Sequence, residues 1–203
     1  MNIRMLLIAL VCFTWTQISV ASPVAVQKLE PQALVEQVAN QTIERIKRDS
    51  AEIDKNPTHI HALIDELLMP HFDFERMSRW VLGKHWRKAS AEQKSAFVIQ
   101  FKSLLVRTYA TSLKEYSDEK IHYSPFRGKL ASGDVTVRSE IVQPGGFPIP
   151  INYRLYLNGE KWLVYDISID DISLIANYRS SFSKQIRRGG IDKLIQKLAD
   201  KNK

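Results

Sequence analysis

Five histidines, at 59, 61, 71, 85 and 122, and the carboxylates Asp166, Asp170 and Asp171 are the residues here whose types could do metal or acid–base chemistry. Two histidines in His59-x-His61 suggest a ligand pair, but alternate residues do not share a helical face. No further ligand is spaced to complete a set, so no metal is expected. Asp166 falls inside a strongly apolar strand pattern, where a carboxylate needs a hydrogen-bonding or charged partner. A nearby arginine or backbone amide would satisfy it. A general base is the competing role, if burial raised its proton affinity beside a tyrosine. Asp170 and Asp171 stand where strand period gives way to helix period and are read as caps for the following helix. The chain has no Ser-centred nucleophile elbow and no Gly-rich phosphate loop, so no catalytic residue is assigned.

The first 21 residues are set aside as a secretory signal peptide. Arg4 is the basic start, residues 5–15 an apolar run, and Ser19, Val20 and Ala21 a small-residue cleavage site, leaving a mature chain from Ser22. Cys12, the only cysteine, lies in that leader, so the mature chain is expected to have neither thiol nor disulfide. Anchoring through a lipidated Cys12 is disfavoured by the large Val11 before it. No later segment reaches the roughly 18 consecutive apolar residues of a membrane span, so a single exported, soluble domain over residues 22–203 is expected. The formal charge is +7, or +6 without Arg4, and the sequence pI is about 9.5. Export argues against nucleic acid as the acidic partner. It leaves anionic lipid headgroups or an acidic patch on another envelope protein, facing basic concentrations at residues 45–48, 76–88 and 184–203.

Periodicity assigns the elements that would position these groups. Leu34, Val35, Val38, Ala39, Ile43 and Ile46 form a helical stripe starting near Pro31 and ending before Asn56-Pro57. A short helix uses Ile60, Leu63, Ile64, Leu67 and Leu68. A third is capped by Asp73 and closed by Gly83. Ser90 and Gln93 have capping-box spacing and open a helix to about Tyr116, roughly 39 Å long at 1.5 Å per residue. Its inner stripe reads Phe97, Phe101, Leu104, Leu105, Thr108, Ser112 and Leu113. After it the period becomes two: Val135, Val137, Ser139 and Ile141, a turn at Pro144-Gly145-Gly146, then Ile149, Ile151, Tyr153, Leu155 and Leu157. A hairpin turn centred on Asn158-Gly159 would set Leu155 opposite Trp162, Tyr153 opposite Val164 and Ile151 opposite Asp166. The strand beyond it is apolar on both faces and passes into a helix from Ile172. After Gly189-Gly190 a short amphipathic helix uses Ile191, Leu194, Ile195 and Leu198. Helices, then antiparallel strands, then helices predict an α+β domain with helices packed on a curved antiparallel sheet.

Apolar side chains exceed what one two-layer core needs, which points to an apolar ligand in a cleft between helices and sheet. A lipid with about 30 methylenes at ~0.8 kcal/mol each needs ~24 kcal/mol of compensating burial to leave a bilayer. The residues assigned to the cleft are Phe101, Leu105, Tyr109, Val137, Ile151 and Tyr153, with Leu155, Val164, Leu174, Tyr178 and Phe182. Arg79, Lys84, Arg138, Arg154 and Arg179 are assigned to headgroup or partner contact, or to pairing with Asp166.

One run of residues, Met77-Ser78-Arg79-Trp80-Val81-Leu82-Gly83-Lys84-His85-Trp86, is followed at fixed spacing by Gln93, Phe97, Phe101, Leu104, Leu105 and Tyr109. A second block holds Val164-Tyr165-Asp166-Ile167, Ser173-Leu174, Asn177-Tyr178-Arg179 and Phe182. Together these resemble the MlaC, or toluene-tolerance, family of periplasmic phospholipid-binding proteins. The resemblance implies a cone-shaped fold like that of nuclear transport factors, phospholipid as cargo and no cofactor. It further implies a periplasmic monomer shuttling lipid between an outer-membrane lipoprotein–porin complex and an inner-membrane ABC transporter, so as to maintain outer-membrane lipid asymmetry. An envelope enzyme on the same scaffold, with Asp166 as general base, is the alternative. Asp170-Asp171 departs from the Glu-Gly usual at that corner of the family, which puts the turn geometry there in question.

Overall fold

A computed structural model describes residues 30–115, 120–142 and 145–203. The expected leader with Arg4 and Cys12, together with Ser22, Tyr116 and Pro144, lies outside the described residues. Helices α1 (Pro31–Arg48), α2 (Ser50–Lys55), α3 (His59–Leu67), α4 (Phe74–Leu82) and α5 (Ala91–Glu115) come first. Strands β1 (Lys120–Tyr123), β2 (Asp134–Val142), β3 (Ile149–Asn158), β4 (Lys161–Ile169) and β5 (Ile172–Ser173) follow, and α6 (Leu174–Lys201) closes the chain. The strands form one antiparallel sheet in the order β1-β2-β3-β4-β5, which is the expected α+β arrangement.

Local bonds explain most of the helix ends. Asp73 Oδ1 accepts the Arg76 amide at 2.8 Å to start α4. Ser90 and Gln93 exchange a reciprocal pair at 3.0 and 3.1 Å to start α5. Gly83 ends α4 with a positive φ of 52°, a conformation that favours glycine, and a Cβ there would stand 3.1 Å from the Arg179 guanidinium. The first stripe is two helices instead of one, because the chain breaks at Asp49. Its carboxylate accepts Arg45 Nε at 2.8 Å and Arg48 Nε at 3.2 Å and meets His59 Nε2 at 3.3 Å. These contacts, led by the Arg45 hydrogen bond, pull its pKa down to about 2. His59 is thus engaged at a helix corner. No group of three or more potential metal ligands exists among the described residues.

The long α5 is buried on two sides. Phe97, Phe101, Leu104 and Leu105 join Met77 and Val81 of α4 and Phe182 of α6 in one cluster. Val106 and Ala110 join Ile46, Ile53, Ile60, Leu63 and Ile64 in another. Thr108 and Ser112, expected on the inner stripe, are exposed. At 3.6 residues per turn a 25-residue helix drifts around its axis, and its neighbours lie on two flanks.

The hairpin register differs from the expected one. Asn158 pairs with Lys161, so the turn is centred on Gly159-Glu160, with the positive φ of Gly159 at the first central position where a type II′ turn needs glycine. Leu157 faces Trp162 and Leu155 faces Val164. A β-bulge between Arg154 and Leu155 leaves Tyr165 unpaired, so that Arg154 pairs with Asp166 and Tyr153 with Ile167. Three consecutive residues, Val164, Tyr165 and Asp166, are consequently buried. The bulge moves Asp166 off the Trp162 and Val164 face, where strict alternation places it, and returns Ile167 to that face.

The corner after β4 is also corrected. Asp170 and Asp171 have φ of 49° and 61° and form the two-residue link between Ile169 and Ile172, a left-handed geometry that aspartate tolerates better than most residues. They do not cap α6. Ser173 does, accepting the Ala176 amide at 3.1 Å, and the helix starts at Leu174 because Ile172 belongs to β5. Within α6 the helical geometry is interrupted at Gly190, which divides the expected two segments.

Candidate functional site

The two faces of the sheet are built differently. On one, Val135 and Val137 of β2, Leu155 of β3 and Trp162 and Val164 of β4 form a continuous apolar surface. It meets Val35 and Leu34 of α1, with Phe72, Tyr123, Phe126, Tyr153 and Ile167 at its margin. On the other, Tyr165 and Tyr156 look toward α4 and α6, the helices in closest contact with β4. Beyond them lies an interlocked aromatic cluster. Phe101 is 5.6 Å from Phe97, 5.3 Å from Tyr178 and 6.0 Å from Phe182, with edge-on contacts to the last two.

The residues assigned to one cleft are therefore divided. Phe101, Leu105 and Phe182 are in the helix-side core, with Tyr109 and Tyr178 packed against it. Burial and the neighbouring Tyr178 push the Tyr109 hydroxyl up to about 12, so it stays neutral. Val137, Leu155, Val164 and Tyr153 lie on the α1 face of the sheet. Ile151, at the far end of β3 opposite Ile169, and Leu174, at the start of α6, are buried outside either group. β4 runs between the two sets, and Phe72 packs against both clusters.

A groove that the sequence reading missed lies on the α1 side. Asn40, Ile43, Glu44 and Lys47 of α1 face Lys120, Ile121 and His122 of β1 across a shallow, open space of about 470 Å³ in which Ile43 and Ile121 are the apolar lining. The N-terminal half of α1 touches the sheet through Leu34 and Val35, while its C-terminal half stands off β1. Ile43 belongs to the α1 stripe, yet it is only half-buried. That incomplete burial is the structural trace of the groove. β1 is four residues long, too short for alternation to announce it.

The basic residues gather elsewhere. Arg154 lies 5.8 Å from the Trp80 ring and 4.9 Å from that of Tyr165, and Arg79 lies 5.9 Å from Trp86. Lys84 belongs to the 3-10 turn Gly83–Lys88 after α4, and Arg179 packs on Gly83. Arg138 is exposed on β2 opposite Asn152, on the sheet face of Arg154. Asp166 is not paired with any of them. Only 4% exposed, it accepts Ser173 Oγ at 2.7 Å and the Ile175 amide at 3.2 Å. A carboxylate so held fixes the first turn of α6 on β4, a structural role with no oxygen presented to a cavity.

Among the described residues the arrangement is an apolar sheet face with one helix laid against it. Comparison with known proteins decides the kinship. A family model described as MlaC protein matches residues 36–200. The chain belongs to the MlaC family. It is 26% identical over 177 residues to the intermembrane phospholipid transport system binding protein MlaC of Haemophilus influenzae, covering 86% of this chain and 83% of that one. It is 26% identical over 166 residues to the toluene tolerance protein ttg2D of Pseudomonas putida, covering 80% and 75%. Among solved structures, the phospholipid-binding protein of Ralstonia solanacearum in complex with a phospholipid aligns with a TM-score of 0.79 and 33% identity, over 86% of this chain and 97% of its own. The alignment with the Ralstonia structure bears out the expected fold of helices on an antiparallel sheet, and the names of the Haemophilus and Ralstonia proteins connect those relatives with phospholipid. Among the described residues no helix is long and apolar enough to cross a membrane.

Proposed function

We propose that this protein binds a phospholipid and carries it between the membranes of a Gram-negative envelope. The observation that supports this most is the likeness, at 33% identity over nearly the whole of the other chain, to a phospholipid-binding protein with its lipid bound. The acyl chains lodge between α1 and the sheet face of Val137, Leu155 and Val164, with the groove between Ile43 and Ile121 as their way in. The headgroup stays in solvent near Lys47 and Lys120. Because ~24 kcal/mol of hydrocarbon transfer must be offset for two chains, an open groove of about 470 Å³ has to widen, and α1, already standing off β1, is the element that moves. Carriage needs no covalent step and no cofactor. Lipid moves according to the relative affinities of carrier and acceptor, and docking favours the open form.

The export leader places the protein in the periplasm, with cleavage after Ala21. Its partners are the inner-membrane ABC transporter complex and the outer-membrane lipoprotein–porin complex of an Mla-type system, which maintains outer-membrane lipid asymmetry, and it works as a monomer. The test is mass spectrometry of the purified protein after organic extraction, followed by transfer of labelled phospholipid between vesicles. Stoichiometric phospholipid and protein-dependent transfer are expected. A folded protein with neither would overturn the reading. Ile43→Trp, which fills the groove at a half-buried position, should lower lipid occupancy at least severalfold while leaving the melting temperature nearly unchanged. Full occupancy in that variant would place the tails elsewhere.

A further inference from the structure

The structure carries a second surface, on the opposite side of the sheet from the groove. Basic side chains from parts of the sequence far from one another meet there. Arg154 of β3 covers the ring of Trp80 in α4 at 5.8 Å, and Trp80 rests against Tyr165 at 5.6 Å. Further along, Trp86 has the Arg79 guanidinium 5.9 Å from its ring centre and Lys94 of α5 at 5.7 Å. His85 next to it feels Lys84, Lys88 and Arg187 of α6, three cations that, after burial itself, lower its proton affinity. Arg179 is seated against the bare Cα of Gly83, which restricts its guanidinium.

The carboxylates nearby keep their charge under mostly neutral donors but are outnumbered: along residues 73–94, Asp73, Glu75 and Glu92 stand among Arg76, Arg79, Lys84, Arg87, Lys88 and Lys94. Asp73 accepts the Tyr156 hydroxyl and the Arg76 amide, and Asp134 accepts the Tyr165 hydroxyl at 2.9 Å. Asp192 is taken by Gln93 at 2.8 Å. Glu92 is held by Ser90. Glu75 meets Arg79 at 3.0 Å, but both side chains are more than half exposed and the pair is weak in water. Two buried nitrogens, Arg76 Nε beneath Tyr156 and His85 Nε2, have no hydrogen-bond partner among the described residues.

We propose that the surface formed by α4, the turn Gly83–Lys88 and the adjoining part of α6 is a docking site for an acidic polypeptide segment of a partner protein. Charge complementarity selects an acidic occupant, and the side-chain types select a polypeptide over a bilayer. Arginine beside tryptophan is the composition of protein–protein hot spots, and planar guanidinium groups match carboxylates two hydrogen bonds at a time. A bilayer surface is engaged by apolar side chains that project beyond the charges. Here Trp86 has Arg79 and Lys94 near its ring and Trp80, 40% exposed, has Arg154 at 5.8 Å, so indole and cation are presented together. The more strongly projecting apolar residues Phe147 and Ile172, 93% and 60% exposed, lie elsewhere, between β2 and β3 and at the start of β5 after acidic Asp170 and Asp171.

The occupant is independent of cargo, so the test separates the two readings. The full mature protein is titrated with a synthetic peptide of ten glutamates bearing a fluorophore, and separately with vesicles of phosphatidylcholine containing phosphatidylglycerol. Binding of the peptide is expected, with the Lys84→Glu/Arg187→Glu double variant weakening it at least tenfold and Trp80→Ala weakening it severalfold. An Arg127→Glu/Lys129→Glu variant carries the same charge change on exposed loop residues and should bind nearly as the unaltered protein does. All variants should retain their melting temperature and extractable phospholipid. The proposal is overturned if both double variants lose binding equally, which would show net charge alone at work. It is equally overturned if Lys84→Glu/Arg187→Glu abolishes vesicle binding and spares the peptide.

Discussion

The two sides of β4 both bury apolar side chains and do opposite things with them. Toward α4, α5 and α6 the rings of Phe97, Phe101, Tyr178 and Phe182 pack through stacked, tilted and edge-to-face contacts, which leaves a filled interior. Toward α1 the apolar wall of Val135, Val137, Leu155 and Val164 meets one helix, and that helix leaves a groove along β1. Hydrophobicity alone does not distinguish a core from a ligand wall. What differs is how many elements cover the surface.

Substitutions can break this comparison. The largest effect is expected from Phe101→Ala, which opens a cavity among rings that cannot collapse. It should cost about 3–5 kcal/mol in urea unfolding and leave phospholipid per folded molecule unchanged. Asp166→Ala, at the seam between the sides, should cost about 2 kcal/mol by freeing the Ile175 amide and the Ser173 hydroxyl. Val137→Ala on the α1 side should cost a similar or smaller amount, about 1–2 kcal/mol, but should speed lipid loss in a transfer assay, which Phe101→Ala should not. If the two substitutions changed lipid retention alike, the division into core and wall would fail.

Smaller effects sharpen the picture away from the lipid. Asp171→Gly relieves a left-handed backbone and should raise stability by about 0.5–1 kcal/mol with cargo unaffected. At the α1–α2 corner the Asp49 pKa is lowered to about 2 in the folded protein. Its contribution is therefore fully present above the unfolded carboxyl's value near 4 and is lost as pH falls toward 2. Asp49→Asn should flatten that part of an acid-melting profile, and an unchanged profile would remove Asp49 from the account.

Local chemistry was legible wherever partners lie within a turn of one another. The caps at Asp73 and at Ser90 with Gln93, the stop at Gly83 and the break at Gly190 are all written in residues a few positions apart. The family and the α+β order followed from the same kind of signal. Tertiary structure decided what the sequence left open. One bulge beside Leu155 put Asp166 on the other face, because side-chain direction along a strand inverts with every added residue. The flanks of α5 were assigned by which helices arrived beside them, splitting Phe101 from Val106. Arg154 met Trp80, and Arg179 met Gly83, only when β3, α4 and α6 closed on each other, since spacing along a chain carries no record of distances formed across it.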